Sequence, residues 1–154
     1  MSSTTTTNRH ALGPAIIGFR LLKLTNLMSQ PFFANYAKQH SLTLNEWRAM
    51  VVISARPNCA AEDISQATGA HAMNVSRAVA GLKKIGLVDA ETDPGNHRRI
   101  LLTLNAKGRT KFDEIAPYSE QQSREMLSVL SETEIDAFSH ILDKLVKQAE
   151  AMVP

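Results

Sequence analysis

The fold of this chain is decided by residues 62–108, which run EDISQATGAHAMNVSRAVAGLKKIGLVDAETDPGNHRRILLTLNAKG. Two helical patterns separated by a glycine turn come first, and two apolar strands follow around the polar tip Asp93–Arg99. The order helix, turn, helix, strand, basic hairpin, strand is typical of a winged helix-turn-helix. In that device one helix enters a DNA major groove and a basic loop enters the neighbouring minor groove. The stretch therefore predicts a DNA-binding element.

Apolar residues at helical spacing predict six helices along the whole chain. Their approximate bounds are 14–39, 44–55, 60–68, 72–85, 106–130 and 132–149, and the two strands are Leu87–Glu91 and Ile100–Leu104. Pro31 and Pro117 fall inside helical patterns, so we expect a kink or break near Gln30 and a disturbance in the fifth helix. The predicted fold class is mainly α with a small β-hairpin wing.

Three helix starts have side chains suited to capping. Thr43 with Glu46, and Ser131 with Glu134, have the spacing of a capping box, in which each side chain bonds the other residue's backbone amide. Asn105 is a candidate N-cap for the fifth helix.

The domain organisation follows from these elements. Residues 1–12 are rich in Ser and Thr and are expected to form a disordered tail. Residues 13–154 are predicted to form one domain, because the chain has the length of a single domain. The first helix is apolar enough to need a partner, which we expect to be another subunit. The winged helix is expected at 41–105, and the dimerisation helices at 13–40 and 106–154.

Charge is divided unevenly along the chain. Residues 71–111 carry eight basic and three acidic side chains, a net charge of +5, whereas residues 112–154 carry three basic and nine acidic ones, a net charge of −6. The basic segment suits a polyanionic partner. The acidic segment suits a surface that faces away from DNA.

Other classes of protein find little support. The sequence has no Gly-rich phosphate loop, no zinc-protease His pair and no Cys-x-x-Cys, so we predict no enzyme, no metal site and no cofactor. No apolar run is long enough to span a bilayer, and the start lacks the apolar core of a signal peptide. A cytoplasmic protein is therefore expected.

The predicted recognition helix carries groove-reading side chains near its start. Asn can pair with adenine and Arg with guanine, while Met and Ala can touch thymine methyl groups and Ser can bond a phosphate. The candidate DNA contacts are His71, Ala72, Met73, Asn74, Ser76 and Arg77. The alternative is an ordinary solvated helix face.

The hairpin supplies the second set of candidate DNA contacts. They are Asn96, His97, Arg98 and Arg99, which follow a Pro-Gly turn. Arg side chains are attracted into a narrow minor groove, where negative potential is concentrated. The alternative is a basic surface loop without a partner.

Two segments resemble the MarR family of transcriptional regulators. Asp93–Gly108 resembles the family's wing signature, in which a loop of acidic and basic residues leads into a leucine-rich strand and a helix start. Ser76-Arg77, followed by Leu82 and Gly86-Leu87-Val88, resembles its recognition helix and exit. The resemblance runs from about Pro14 to the C-terminal end.

The resemblance implies a triangular homodimer whose N- and C-terminal helices interlock. Its two winged helices would bind a palindromic operator in double-stranded DNA, usually as a repressor. A small effector, often an aromatic carboxylate or phenol, would bind between the dimer helices and the winged helix and lower DNA affinity. Such a site needs an apolar slot with polar anchors. The candidates are Arg20, Tyr36, His40, Trp47 and Arg48, with a core tryptophan and solvated or ion-paired arginines as the alternative.

Two positions depart from the family's pattern. Asn96 stands where the family usually has an Asp that helps to hold the wing Arg, which Arg98 matches in this chain. Ala80-Gly81 stands where the family often has Asp-Arg, and a helical Gly costs about 1 kcal/mol relative to Ala.

Two other hypotheses about function stay open. One is a DNA-binding regulator that responds to no ligand. The other is a redox-responsive regulator that uses Cys59, the only cysteine of the chain, whose place beside a turn at residues 56–58 would make it accessible.

Overall fold

The computed structural model describes residues 13–154. The helices are α1 Ala15–Phe32, α2 Lys38–His40, α3 Leu44–Ala55, α4 Ala61–Thr68, α5 Ala72–Lys84, α6 Ala106–Leu127 and α7 Glu132–Met152, with a π-helical segment Phe33–Ala37 between α1 and α2. Strands β1 Val88–Asp93 and β2 Asn96–Leu104 form an antiparallel pair. The predicted fold class is confirmed. The tail predicted at 1–12 lies outside the described residues.

The chain divides into two compact units, one ending at Phe112 and the other beginning at Asp113. The boundary falls inside α6. The first unit contains α1, the helix-turn-helix and the hairpin. Its fully buried side chains include Met50, Ile53, Ile64, Leu82 and Leu102. The grouping of 13–154 into one domain stays a prediction.

The helix-turn-helix consists of α4, a three-residue turn and α5. α4 ends because Gly69 adopts a left-handed φ of +68°, which glycine accepts without strain. α5 then buries one stripe, formed by Val75, Ala78 and Leu82. The helical spacing from Val75 through Leu82 to Ile85 predicts that Ile85 continues this stripe. Ile85 is nevertheless 37% exposed, because α5 ends at Lys84 and Ile85 is its C-cap residue.

All three predicted helix caps are confirmed. The Thr43 hydroxyl accepts the Glu46 amide at 3.1 Å, and the Glu46 carboxylate accepts the Thr43 amide at 2.9 Å. Ser131 and Glu134 form the same pair of bonds at 3.2 and 2.8 Å. The Asn105 side chain accepts an amide hydrogen bond from the third residue of α6 at 2.9 Å.

The two internal prolines have different surroundings. α6 runs without interruption through Pro117, whereas α1 ends at Phe32, one residue after Pro31, and the π-helical segment Phe33–Ala37 follows directly. The chain therefore has no break at Gln30, although its regular α-helical pattern ends beside Pro31. A proline removes one backbone hydrogen bond, and a π-helical turn accommodates such an irregularity. A kink at this place stays a prediction.

The hairpin strands are longer than predicted and include most of the expected tip. The pairing runs in register from Val88↔Leu104 to Thr92↔Ile100 and then jumps to Asp93↔Asn96. Residues 97–99 therefore have no partner on β1 and form a bulge on β2. Turn chemistry allows this extension, because only Pro94 and Gly95 are needed to reverse the chain.

Candidate nucleic-acid interface

The exposed face of α5 carries all six residues that the sequence singled out on the recognition helix. They are His71, Ala72, Met73, Asn74, Ser76 and Arg77, and each is exposed. This follows from the burial of the opposite stripe, which fixes the helix by its apolar side. Met73 is 58% exposed, a large apolar side chain left in solvent beside two hydrogen-bonding groups, Asn74 and Arg77.

His71 has a structural role in addition to its exposed position. Its Nδ1 accepts a hydrogen bond from the Met73 amide at 3.3 Å and so caps the start of α5. An imidazole nitrogen can accept only when it is unprotonated, so this cap requires the proton on Nε2. The Nε2–H group of His71 therefore stays available as a hydrogen-bond donor at the start of α5.

The bulge on β2 is organised by short-range side-chain bonds. The Asn96 Oδ1 accepts the backbone amide of Arg98 at 3.2 Å, and the Asp93 Oδ1 accepts that of Gly95 at 2.9 Å. The side-chain amide oxygen of Asn96 thus accepts a hydrogen bond from the main chain of the bulge. Asn96, His97 and Arg98 are exposed.

Arg98 and Arg99 have different environments although they are neighbours. Within the described part of the chain, no side chain forms an ion pair or hydrogen bond with the Arg98 guanidinium. Arg99 Nη2, in contrast, donates to Asp63 Oδ2 at 2.6 Å, and its Nε lies 3.9 Å from the Asp93 carboxylate. The Arg99 side chain is 35% exposed. Of the two wing arginines, only Arg98 has a guanidinium without an ion pair among the described residues.

The recognition helix and the hairpin meet at one cleft of about 510 Å³. Ser76 and Lys83 line it from α5, and Asn96 and Arg98 line it from β2. The structure therefore brings members of both predicted sets together. Lys83 was not among the predicted contacts, although a basic residue two turns after Ser76 is a signal that the sequence offered.

Asp63 is the residue that sequence reasoning missed. Its Oδ2 accepts the backbone amide of Ala60 at 2.7 Å, which caps α4, and the same oxygen accepts from Arg99. An acidic residue three positions after a helix boundary is a known capping signal. Nothing local in the sequence indicates its second partner, which is 36 residues away.

The five candidate ligand residues divide into two groups. Trp47 is 6% exposed and packs between the rings of Phe32 and Phe112, with centroid distances of 6.5 and 5.3 Å. It is a core residue. Tyr36 and His40 are half-buried and stack on each other at 6.4 Å. Arg20 and Arg48 are exposed.

Arg48 lines two clefts that flank α3. One, of about 690 Å³, lies between α1 and α3 and includes Ser29, whose hydroxyl accepts from Arg48 Nη2 at 3.4 Å. The other, of about 380 Å³, lies against the helix-turn-helix and includes His71 and Asn74. Arg48 is therefore a candidate ligand residue that shares a cleft with the start of the recognition helix.

Cys59 is buried, as a lone cysteine more often is, whereas the redox hypothesis needs an accessible thiol. Its side chain is 4% exposed, and its backbone bridges to Leu102 of β2. Burial, followed by the charge of Asp63, raises the pKa of the thiol. Both properties disfavour a reactive thiolate.

Residues 13–154 contain neither a candidate metal-binding cluster nor a helix that could span a membrane. Residues 13–154 hold no group of three or more His, Cys, Asp or Glu that could bind a metal ion. Among the helices in that range, none is long and apolar enough to cross a membrane.

Comparison with known proteins shows which family and which structures this chain is similar to. Residues 40–99 match the family model described as the MarR family, and no curated protein sequence matches the chain. The chain is similar in structure to a MarR/EmrR family transcriptional regulator from Acinetobacter sp. ADP1, with a TM-score of 0.80 and 20% identity over 92% of this chain and 99% of that one.

Two further structures share the fold. BpsR of Bordetella bronchiseptica, whose DNA binding is regulated by 6-hydroxynicotinic acid, has a TM-score of 0.72 and 23% identity over 84% of this chain and 97% of its own. MepR of S. aureus, solved as a DNA complex, has a TM-score of 0.74 and 18% identity over 85% and 96%. The matched segment, residues 40–99, contains the helix-turn-helix and most of the hairpin, so this part of the chain is similar to the MarR family of transcriptional regulators.

Proposed function

We propose that this chain is a homodimeric, sequence-specific DNA-binding transcriptional regulator that represses its target genes. A small aromatic or phenolic ligand would release it from a palindromic operator. The observation that carries the proposal is the cleft shared by Ser76 and Arg98, because it joins an exposed polar helix face to an exposed arginine of the wing. The helix suits a major groove and the arginine suits a minor groove. The same fold in DNA-bound MepR supports this assignment.

The exposed apolar side chains support a homodimer. α1 exposes Ile17, Phe19, Leu22, Leu24, Leu27 and Met28, each between 38% and 61%. α7 exposes Ile141, Leu145 and Val146 to about the same degree. Monomeric soluble proteins rarely expose apolar faces of this kind, so a second copy is the natural cover. Two-fold symmetry of the dimer would require a palindromic operator.

The cleft between α1 and α3 is our candidate effector site. Arg48 can bind a carboxylate or phenolate there, beside the Ser29 hydroxyl. The regulation of BpsR by an aromatic acid supports a ligand of this class. Release from DNA requires that the ligand bind the DNA-incompetent state of the dimer more tightly than the competent one.

Fluorescence anisotropy with a labelled duplex from the gene's own upstream region tests the proposal. The duplex is titrated with the wild-type chain, with Arg98→Ala and with Arg124→Ala, at several salt concentrations and with a panel of aromatic acids. Arg124 is a matched control, because it is an exposed arginine in a surface pair with Glu120. We expect R98A alone to weaken binding, and one acid to release the wild type.

Other outcomes change the assignment in defined ways. Binding that no compound releases would favour a ligand-independent regulator. Equal binding by R98A and the wild type would remove the wing from the interface. If neither the upstream duplex nor duplexes selected from genomic DNA bind, the proposed function is wrong.

A further inference from the structure

The paired state of Arg99 points to a role different from that of Arg98. We infer that Arg99 is a positioning residue, which Asp63 holds in order to fix the wing with Arg98 directed at DNA. This inference rests on the proposed function, because it concerns the geometry of DNA binding. It replaces a direct DNA contact at Arg99 with an internal brace between β2 and α4.

The first argument is that the bulge interrupts the regular pairing of the two strands. Residues 97–99 have no paired residue on β1, so the regular register does not fix their position. The base of the hairpin, in contrast, is anchored, because Leu102 bonds the main chain of Asn58 and Cys59 at 3.0 and 2.8 Å. The bulge depends on side chains, namely the short bond from Arg99 to Asp63 and the local bond between Asn96 and Arg98.

The second argument is that Asp63 is itself held in place. Its Oδ2 accepts the Ala60 amide at 2.7 Å, so the carboxylate is fixed at the first turn of α4. A fixed acceptor loses little conformational entropy when Arg99 binds it. Because both side chains are well shielded, with exposures of 35% and 24%, water screens the pair less than it screens a fully exposed one.

The third argument concerns charge. Asp63 neutralises Arg99, and Asp93 adds a second carboxylate at 3.9 Å, so Arg99 brings little net charge to a phosphate backbone. Arg98 and Arg99 both line the cleft beside the recognition helix, but only Arg99 has carboxylate partners there, so Arg98 keeps its full charge. A wing without the brace would have to be ordered during binding. The affinity for DNA would then be reduced in proportion to the fraction of time for which the wing is correctly placed.

DNA affinity and its salt dependence distinguish a brace from a contact. The slope of log K against log salt falls by about 0.9 for each phosphate contact that is lost. We expect Arg99→Gln to weaken binding by about three- to fivefold without changing this slope, and Asp63→Asn to weaken binding to a similar extent although it frees the charge of Arg99. Arg98→Ala should weaken binding and reduce the slope. The carboxamide oxygen that D63N introduces can still accept the Ala60 amide, so this variant removes the charge and leaves the cap.

Two further variants make the test specific. The double variant D63N/R99Q should bind no more weakly than either single variant, because both remove the same interaction. The variant Asp63→Glu should bind DNA nearly as tightly as the wild type, since the carboxylate on its longer side chain can still reach Arg99. A reduced slope in R99Q, together with unchanged or tighter binding by D63N, would overturn the inference and make Arg99 a direct contact.

Hydrogen exchange measured without DNA separates this inference from the proposed function. We expect D63N to speed amide exchange in residues 96–100 and to leave α7 unchanged. Unchanged exchange in the wing would overturn the brace even if DNA binding is normal. If exchange rises in D63N but the wild type binds no duplex, the brace stands as a structural feature and the proposed function fails.

Discussion

The carboxylate of Glu46 in α3 occupies the space beside Gly81 of α5 that a side chain would fill. The same carboxylate accepts the backbone amide of Thr43 at 2.9 Å and so caps α3. One side chain therefore caps the first helix of the winged domain and packs against the recognition helix. The lack of a side chain at position 81 is what makes this double role sterically possible.

We expect Gly81→Ala to change the free energy of unfolding by less than about 0.5 kcal/mol. The gain in helix propensity, about 1 kcal/mol, is offset because Glu46 is displaced and its bond to Thr43 weakens. In a Glu46→Ala background the same change should stabilise the protein by about 1 kcal/mol. Urea denaturation of the four proteins measures both effects. Equal effects of G81A in the two backgrounds would contradict this packing relationship.

The local features of the fold were predictable because short-range chemistry determines them. The bounds of α3 and its cap follow from Thr43 and Glu46, and the end of α4 follows from Gly69. Pro31 marks the place where α1 gives way to the π-helical segment, although its own sequence does not show that the chain stays helical there. The longer strands were missed since His97 and Arg98 look like loop residues, although a bulge accommodates them within a strand.

Gly108→Ala should destabilise the first unit. A Cβ at this position would overlap the backbone carbonyl oxygen of Leu87, which cannot move away as a flexible side chain can. Overpacking of this kind costs about 1–3 kcal/mol. Gly18→Ala is the control, because nothing lies within 4 Å of its added carbon and a helical alanine is favoured. The denaturation midpoint should fall in G108A and rise in G18A. An unchanged midpoint in G108A would contradict the close approach of Gly108 to the Leu87 carbonyl oxygen.

Trp47→Ala should lower the free energy of unfolding by about 3–5 kcal/mol, because the side chain is buried between Phe32 and Phe112. Trp47→Phe retains an aromatic ring and should cost much less. Circular dichroism during thermal unfolding measures both. If Trp47 instead bound the effector, W47F would abolish release from DNA at unchanged stability; we expect release to be retained.

The candidate site was predictable in its composition but not in its connections. Exposure of the recognition-helix residues follows from the apolar period of α5, so sequence and structure agree on that face. The difference between Arg98 and Arg99 does not follow from sequence. It depends on Asp63, which lies on α4, whereas both arginines lie on β2. Long-range pairs of this kind arise from tertiary packing, which no local pattern encodes.

The pH dependence of the free energy of unfolding tests whether Cys59 is a buried, neutral thiol, as opposed to the reactive thiolate that the redox hypothesis needs. Burial raises the pKa of its thiol, so the folded protein holds this proton more tightly than the unfolded chain does. The stabilising contribution is therefore fully present at neutral pH, and it is lost as the pH rises above the ordinary thiol range, from about pH 8.5 upward. Wild-type stability should fall more steeply than that of Cys59→Ala between neutral pH and about pH 10, as urea denaturation would measure.

The same burial makes a prediction about reactivity. At neutral pH, iodoacetamide should modify Cys59 far more slowly in the folded protein than in urea, because both access and thiolate content are low. Peroxide treatment should accordingly leave DNA affinity unchanged. Rapid modification of the folded protein, followed by a loss of DNA binding that C59A does not show, would instead establish Cys59 as a sensor and displace the small-molecule effector from the mechanism.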